Sequence, residues 1–403
     1  MQRYDKYGSV KWRWPCLCLL CVVLYACHKR PIEPMLPDAD EITLIFSAKL
    51  PSASQGIKTY ALSDADENFL KDIDVLVFTD DGSGMKFRYR SVGKDITPSG
   101  GNTADIKVTL WKTVVDTRLI IIANARDVIN AFDLETGITT PDDIQQGLVY
   151  EIDPPGLWLA DDDDFTPLPM WGEYDIADGI DGGTEILPGS INLLRSLARV
   201  DIVVDEGANF ELTEVWVFNS KSNGLIIPEP GNIVGGVAQN PSLPIGGPTN
   251  NSDPLKYQTA GENSVREIYL FEAAAQSIYD ADATALVIGG KYDTDIGPTY
   301  YRIDFRDPGD PINAAYPVLR NRRYLITITD ALNAGHEDAP TAFESSSVDP
   351  LVAYGGPAGL SPAQVKQVTN PSPSSQQYGN IIPKSAEGLT YTVTAFSEAN
   401  EIP

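Results

Sequence analysis

Apolar and polar residues alternate with a period of two through much of this chain, in short runs separated by turn residues. Residues 41–50 set Ile42, Leu44, Phe46 and Ala48 on one side, the pattern of a strand with one buried face. Residues 73–78 form a short apolar run closed by the turn Asp80-Asp81-Gly82, residues 106–110 alternate again, and 119–123 read as a buried strand. A surface helix with a weak apolar face is expected from Thr140, a hydroxyl cap followed by Pro141 at the first helical position and by Asp142 and Asp143 at the positive helix end. Alternation over 194–204 favours one long strand over a short helix at 191–199. Further strands are expected over 214–218, 267–271, 286–292, 300–305, 324–329 and 389–396. In two of them one face is apolar: Tyr301, Ile303 and Phe305, then Tyr324, Ile326 and Ile328. Ser361 to Gln364 has capping-box spacing and predicts a short helix.

Between these elements lie two stretches without a sustained period. Residues 153–189 are rich in Pro, Gly and Asp, and a domain boundary is expected near their end. Residues 219–261, crowded with Gly, Pro, Asn and Ser, read as a long loop of the kind often tied to function or disorder. The fold expected is all-β with a few short helices, as an N-terminal β-sandwich domain over 41–188 and a C-terminal one over 189–403.

The amino-terminal end has a different character. Basic Arg3, Lys6, Lys11 and Arg13 precede an apolar run from Pro15 to Ala26, too short to span a bilayer and suited to a signal-peptide core. All four cysteines, Cys16, Cys18, Cys21 and Cys27, lie here. Leu24-Tyr25-Ala26-Cys27 resembles a bacterial lipobox, with Tyr25 in place of a small or aliphatic residue. Cleavage between Ala26 and Cys27 would leave residues 1–26 as signal peptide, Cys27 as the palmitate-type lipidation site and residues 27–40, with three prolines up to Pro37, as a tether. The two or three acyl chains of a bacterial lipoprotein, at about 0.8 kcal/mol per buried methylene, hold a protein to a membrane almost permanently.

Charge and composition narrow the function. Beyond residue 26 the chain has 26 Lys and Arg against 55 Asp and Glu, a net charge of −29. Such a surface repels phosphate backbones and anionic headgroups, so no nucleic acid is expected as a partner, and attachment to a membrane falls to the lipid. Only His28 and His336 are histidines, which leaves Ser-His-Asp, Cys-His and His-based metal chemistry short of parts. No catalytic residue, metal or cofactor is expected. The acidic runs Asp161 to Asp164, Asp178 to Gly183 and Asp293 to Asp295 lack the spacing of a calcium loop and read as solvated. Trp111, Trp158, Trp171 and Trp216 read as core in preference to a sugar platform, and Arg320, Arg322 and Arg323 as pairing with nearby carboxylates.

Several landmarks occur in order along the chain: Glu67 to Phe78 followed by an Asp-Gly turn, Pro169-Met170-Trp171-Gly172-Glu173, Leu193 to Ile202, and Pro317 to Tyr324. With the lipobox they resemble the fimbrillin-type lipoproteins of Bacteroidales bacteria. The resemblance implies two transthyretin-like sandwiches and an outer-membrane lipoprotein, on the cell surface, that acts as a shaft, tip or anchor subunit of a fimbria. It implies other fimbrial subunits as partners, adhesion to a host or bacterial surface receptor, and assembly by strand exchange, with 41–50 (Ile42, Leu44, Phe46) and the last strand (Leu389, Tyr391, Val393, Ala395) as the exchangeable segments. In shaft subunits a trypsin-like protease removes the first strand after an arginine. Here Lys58-Thr59-Tyr60-Ala61-Leu62 stands where family members often have Lys-Thr-Arg-Ala-Leu, and no arginine lies between Arg30 and Arg88, which leaves Lys49 and Lys58 as candidates and favours an anchor or tip role. The basic His28-Lys29-Arg30 departs from the acidic residues that often follow the cysteine in surface lipoproteins of this group. The alternative from another class is a surface glycan-binding lipoprotein of a polysaccharide-uptake system.

Overall fold

The computed structural model describes residues 41–50, 62–100, 103–152, 158, 160, 165–181, 186–259, 263–276, 281–292, 297–305, 316–331, 335–345 and 389–397. The signal, lipobox and tether, the helix expected at Ser361, and the acidic runs at 161–164 and 293–295 lie outside them. No helix among the described residues is long and apolar enough to cross a membrane.

The first half supplies β1 (Glu41–Lys49), the one-turn helix α1 (Asp64–Glu67), β2 (Ile73–Asp80), β3 (Met85–Val92), β4 (Lys94–Gly100), β5 (Thr103–Trp111) and β6 (Thr117–Ala123). It continues with α2 (Arg126–Ala131), α3 (Pro141–Gly147), β7 (Val149–Glu151), β8 (Met170–Ile176), β9 (Ile186–Asn192) and β10 (Leu194–Arg195). Two sheets result, in the orders β4-β5-β1-β9 and β10-β8-β6-β2-β3. They pack closely where Gly93 carries the chain from β3 to β4: a Cβ there would meet Ile73 Cβ at 2.8 Å and Ile106 Cγ2 at 3.1 Å. The other face of the five-stranded sheet is also buried, since Leu76, Phe78, Ile120 and Ile122 cluster with Ile129 of α2 and Ile144 of α3. This burial on both faces explains why the sequence of β2 is an apolar run instead of an alternation. Thr140 caps α3 as expected, its hydroxyl accepting from Asp143 N and the Asp143 carboxylate accepting from Thr140 N.

The second half is built from β11 (Ala198–Val204), β12 (Phe210–Phe218), β13 (Asn223–Leu225), β14 (Ile233–Val234), β15 (Val237–Ala238) and β16 (Leu255–Gln258). Then come β17 (Asn263–Leu270), β18 (Ala285–Tyr292), β19 (Thr299–Asp304), β20 (Arg322–Ala331), α4 (Ala339–Glu344) and β21 (Leu389–Ser397). Its sheets, β17-β11-β20-β21 and β16-β12-β18-β19, share one core that includes Val200, Ile202, Ile326 and Ile328 from the first and Val215, Val217, Ile288 and Ile303 from the second. Tyr301, Ile303, Phe305, Tyr324, Ile326 and Ile328 are all buried, as the alternation predicts.

Two expectations change, and a third, the boundary at 188/189, belongs to the proposal below. The long strand over 194–204 is two strands in different sheets, because Ser196 donates its amide to Pro169 O and its hydroxyl to Ile226 O and turns the chain at the crossing between halves. The boundary read at 188/189 falls inside β9, and both β9 and β10 pair with first-half strands. The loop over 219–261 contains β13 to β16. Within it β13 pairs with β7 of the first half, and Ile226 and Ile227 enter the first-half cluster.

Val75 is fully buried and paired with Ile121 on one side and Ser91 on the other. Val75→Asp should cost several kcal/mol, comparable with the whole margin of a domain, by burying a carboxylate without a partner. Thermal unfolding followed by circular dichroism should show the native transition lost or lowered by tens of degrees. An unchanged transition would contradict the assignment of β2 to the centre of its sheet.

Candidate functional site

A strand-exchanging protein needs a slot, an edge and a frame that holds both. The slot is the place of β1. It runs antiparallel to β5 from Glu41 opposite Trp111 to Lys49 opposite Thr103, and parallel to β9 from Ile45 opposite Ile186 to Lys49 opposite Asn192. Ile42, Leu44, Phe46 and Ala48 are buried, and the intervening residues are exposed or half-buried. On the outer side Ser47 donates to Asp105 Oδ1 at 2.6 Å. The sequence-predicted first segment is thus an inner strand, held by ladder bonds and alternate apolar side chains.

The edge is β21. Nine register pairs join it antiparallel to β20, with Tyr391 opposite Ile328, Val393 opposite Ile326, Ala395 opposite Tyr324 and Leu389 opposite Ala331. An open strand edge is a template for further pairing, and proteins normally blunt it. Among the described residues, the other ends of the four- and five-stranded sheets are blunted. Phe87 of β3 exchanges backbone bonds with Gly137 and Thr139, and Tyr300 of β19 does so with His336. β4 carries Pro98 and β9 carries Pro188 followed by Gly189 at φ 84°. β17 is interrupted by a register shift near Arg266, whose φ is 59°, while β10 and β16 are only two and four residues long. β21 runs nine residues, LTYTVTAFS, with no proline, glycine or charge in its sequence.

The frame is a buried charge cluster that sequence reading missed. Glu67, at the end of α1, is completely buried. Its carboxylate accepts two bonds of 2.7 Å from Arg199 Nη1 and one of 3.1 Å from the Tyr269 hydroxyl. Arg266 Nε lies at 3.5 Å and Arg195 Nη2 at 3.8 Å. Burial alone would push the Glu67 carboxyl up; the charges of Arg195 and Arg199, the Arg199 hydrogen bond and the charge of Arg266 outweigh it and hold the group at about 2. A second buried carboxylate, Asp201, extends the cluster, pairing with Arg199 Nε at 3.2 Å and Arg323 Nε at 2.5 Å. In the sequence Glu67 stands only as the first residue of the landmark Glu67 to Phe78. The signal that could have found it lies elsewhere, in arginines at 195 and 199 within apolar strands, which need a buried anion.

The basic cluster at 320–323 is likewise turned inward. Arg320 donates from Nε to Glu272 Oε2 at 2.8 Å, from Nη1 to Ile226 O at 2.7 Å and from Nη2 to Leu225 O at 2.8 Å. Arg322 Nη2 donates to Ala238 O at 2.7 Å. Arg320 and Arg323 therefore pair with carboxylates as expected, whereas Arg322 holds a carbonyl.

The four tryptophans among the described residues are engaged within the fold. Trp158 and Trp171 are buried, Trp111 packs on Tyr89 with ring centroids 3.9 Å apart, and Lys256 Nζ sits 4.8 Å over the Trp216 ring. No group of three or more His, Cys, Asp or Glu among the described residues could hold a metal ion. His336 Nε2 lies 2.8 Å from Ser345 Oγ, but that hydroxyl donates its proton to Ala342 O at 3.0 Å.

No family model matches the chain, and no curated protein matches it. Among solved structures it is similar to the tip fimbrial protein Mfa3 from Porphyromonas gingivalis with C-terminal truncation, at 17% identity over 72% of this chain and 95% of that one, with a TM-score of 0.48. It is also similar to a fimbrial assembly protein from Parabacteroides distasonis ATCC 8503, at 15% identity over 72% and 92%, with a TM-score of 0.43. The fimbrial anchor protein Mfa2 from Porphyromonas gingivalis is similar at 13% identity over 74% and 94%, with a TM-score of 0.33. Each TM-score is below 0.5, so the functional case rests on this chain's own residues.

Glu67→Gln removes the anion and leaves its arginines buried, which should destabilise the protein by about 3–5 kcal/mol. Because the folded carboxyl is depressed from 4.5 to about 2, its contribution is complete above pH 4.5 and is lost as pH falls through 2. Denaturant melts of the two proteins should therefore differ most above pH 4.5 and converge towards pH 2. A constant difference over that range would contradict the charge assignment.

Proposed function

We propose that this chain is a non-enzymatic structural subunit of a cell-surface fimbria, a lipoprotein anchored in the outer membrane through Cys27, that joins its neighbours by exchanging β-strands and so supports adhesion. The observation that carries this reading is β21: among the described residues, a nine-residue uncharged strand at the end of its sheet, where the other four- and five-stranded sheet ends are closed, shortened or interrupted. Main-chain ladder bonds give such an exchange its strength, and alternate positions give it register.

The inner seat of β1 supports an anchor or tip position. A shaft subunit would lose this strand to an arginine-specific protease, and no arginine follows it before Arg88. On this reading residues 41–50 stay with the lipid, and the tandem domains read at 41–188 and 189–403 travel as one body. The partners are other fimbrial subunits, with a surface receptor beyond them.

Two experiments test the reading. Cys27→Ser should move the protein from the membrane fraction to the soluble one and abolish palmitate labelling; labelling that persists would refute the lipid anchor. The unmodified protein should give a ladder of subunit multimers in unheated detergent gels, and replacing both Tyr391 and Val393 by Asp should abolish it while the first half keeps its near-ultraviolet signal. Normal ladders from that variant would make β21 an ordinary strand of its own sheet.

A further inference from the structure

Residues 62–72, ahead of β2, are fastened one after another to β10, β11, β17 and the turn after β6. Leu62 is 1% exposed. Ser63 caps α1 by accepting from Asp66 N. Glu67 is held by Arg199, Arg195, Arg266 and Tyr269, and Asn68 Oδ1 accepts from Arg195 Nη2 at 2.8 Å. Two residues on, Asn124, whose own φ is 59°, donates from Nδ2 to Phe69 O and accepts at Oδ1 from Lys71 N, both at 2.8 Å. Its amide in turn donates to Asp72 O. β1 is held differently. Its ladder bonds and four buried apolar side chains are interactions that another strand of the same pattern supplies equally well. A three-arginine seat around a buried carboxylate is not.

We infer that residues 62–71 are a stop, with Glu67 as its positioning residue: β1 and the chain ahead of it can leave their sheet without loosening the join between the two halves. The inference rests on the strand-exchange reading above and adds to it where exchange ends. Strand loss is confined to the slot between β5 and β9, and the second half, which presents β21, keeps its shape whether or not the slot is filled. α1 alone could not do this, being a single turn; its hold comes from the second-half residues around Glu67. The charges matter because Arg195, Arg199 and Arg266 converge on Glu67, with Asp201 beside Arg199, so withdrawal of Glu67 would take a buried anion from the guanidinium groups around it.

The test uses the full mature chain with a protease recognition sequence placed within 51–61, cut after folding and followed by hydrogen exchange with mass spectrometry. After cutting, amides of β5 and β9 should lose protection, while those of residues 62–71, β11 and β17 keep the protection of the uncut protein. Added synthetic peptide of residues 41–50 should restore β5 and β9. In Glu67→Gln, and in Glu67→Asp, which keeps the charge but shortens its reach and serves if the first variant fails to fold, the cut should extend the loss to β11 and β17. Loss of protection at 62–71 or β11 in the cut wild type would overturn the stop; equal protection in the cut variants would overturn the role of Glu67. No second subunit takes part in the readout. Failure of ladder formation therefore tells against the fibre reading alone, and loss of protection tells against the stop alone.

Discussion

The join between the halves depends on one buried carboxylate. Glu67 sits among Arg195, Arg199 and Arg266 with no solvent exposure, and those arginines lie on β10, which pairs within the first half, and on β11 and β17 of the second. Burying this many charges is costly, and an apolar contact of the same volume would be at least as stable. What the cluster adds is direction: carboxylate and guanidinium must meet in one geometry, so α1, β11 and β17 are set relative to one another within hydrogen-bond tolerance. The β7–β13 pairing, the Arg320–Glu272 pair and the entry of Ile226 and Ile227 into the first-half cluster work on the same join. Together they make the halves one body, through contacts a flexible domain linker would not make.

On the proposed assembly, that rigidity gives the slot and the edge their meaning. A slot and an edge on a jointed protein would face random directions; on a rigid one they define how one copy is oriented against the next. The closed sheet ends serve the same purpose, since each unblunted edge would admit a wrong neighbour. Prolines in β4 and β9, loop bonds on β3 and β19 and the interruption of β17 each remove a competing route, and β21 stands out by lacking such devices in its sequence.

Much of this was legible in the order of residues, for a physical reason: strands with one wet face announce themselves by alternation. β1, β5, β19 and β20 were found on that ground, β2 as an unbroken apolar run, and α3 from its cap. β8 escaped notice because Met170-Trp171-Gly172-Glu173-Tyr174 alternates poorly, its glycine being required where a Cβ would meet Asn192 O at 2.6 Å. The break at Ser196 and Leu197 was invisible because apolar spacing continues across it while the chain changes sheets. Buried charge was the other blind spot. Composition reads Glu67, Asp74 and Asp201 as surface, and only the distant arginines that neutralise them, found by folding, put them inside.

Whether β21 passes between molecules can be measured directly in trans. One preparation would carry a single cysteine at Ile326 and a second a single cysteine at Val393, positions that face each other in the β20–β21 register, both with Cys27 replaced by Ser. Mixed, assembled and oxidised, they should form a disulfide-linked pair of unlike subunits that reducing agent separates. If that pair never forms, while a chain bearing both cysteines closes its own disulfide in full, β21 belongs to its own sheet and the strand-exchange account is contradicted.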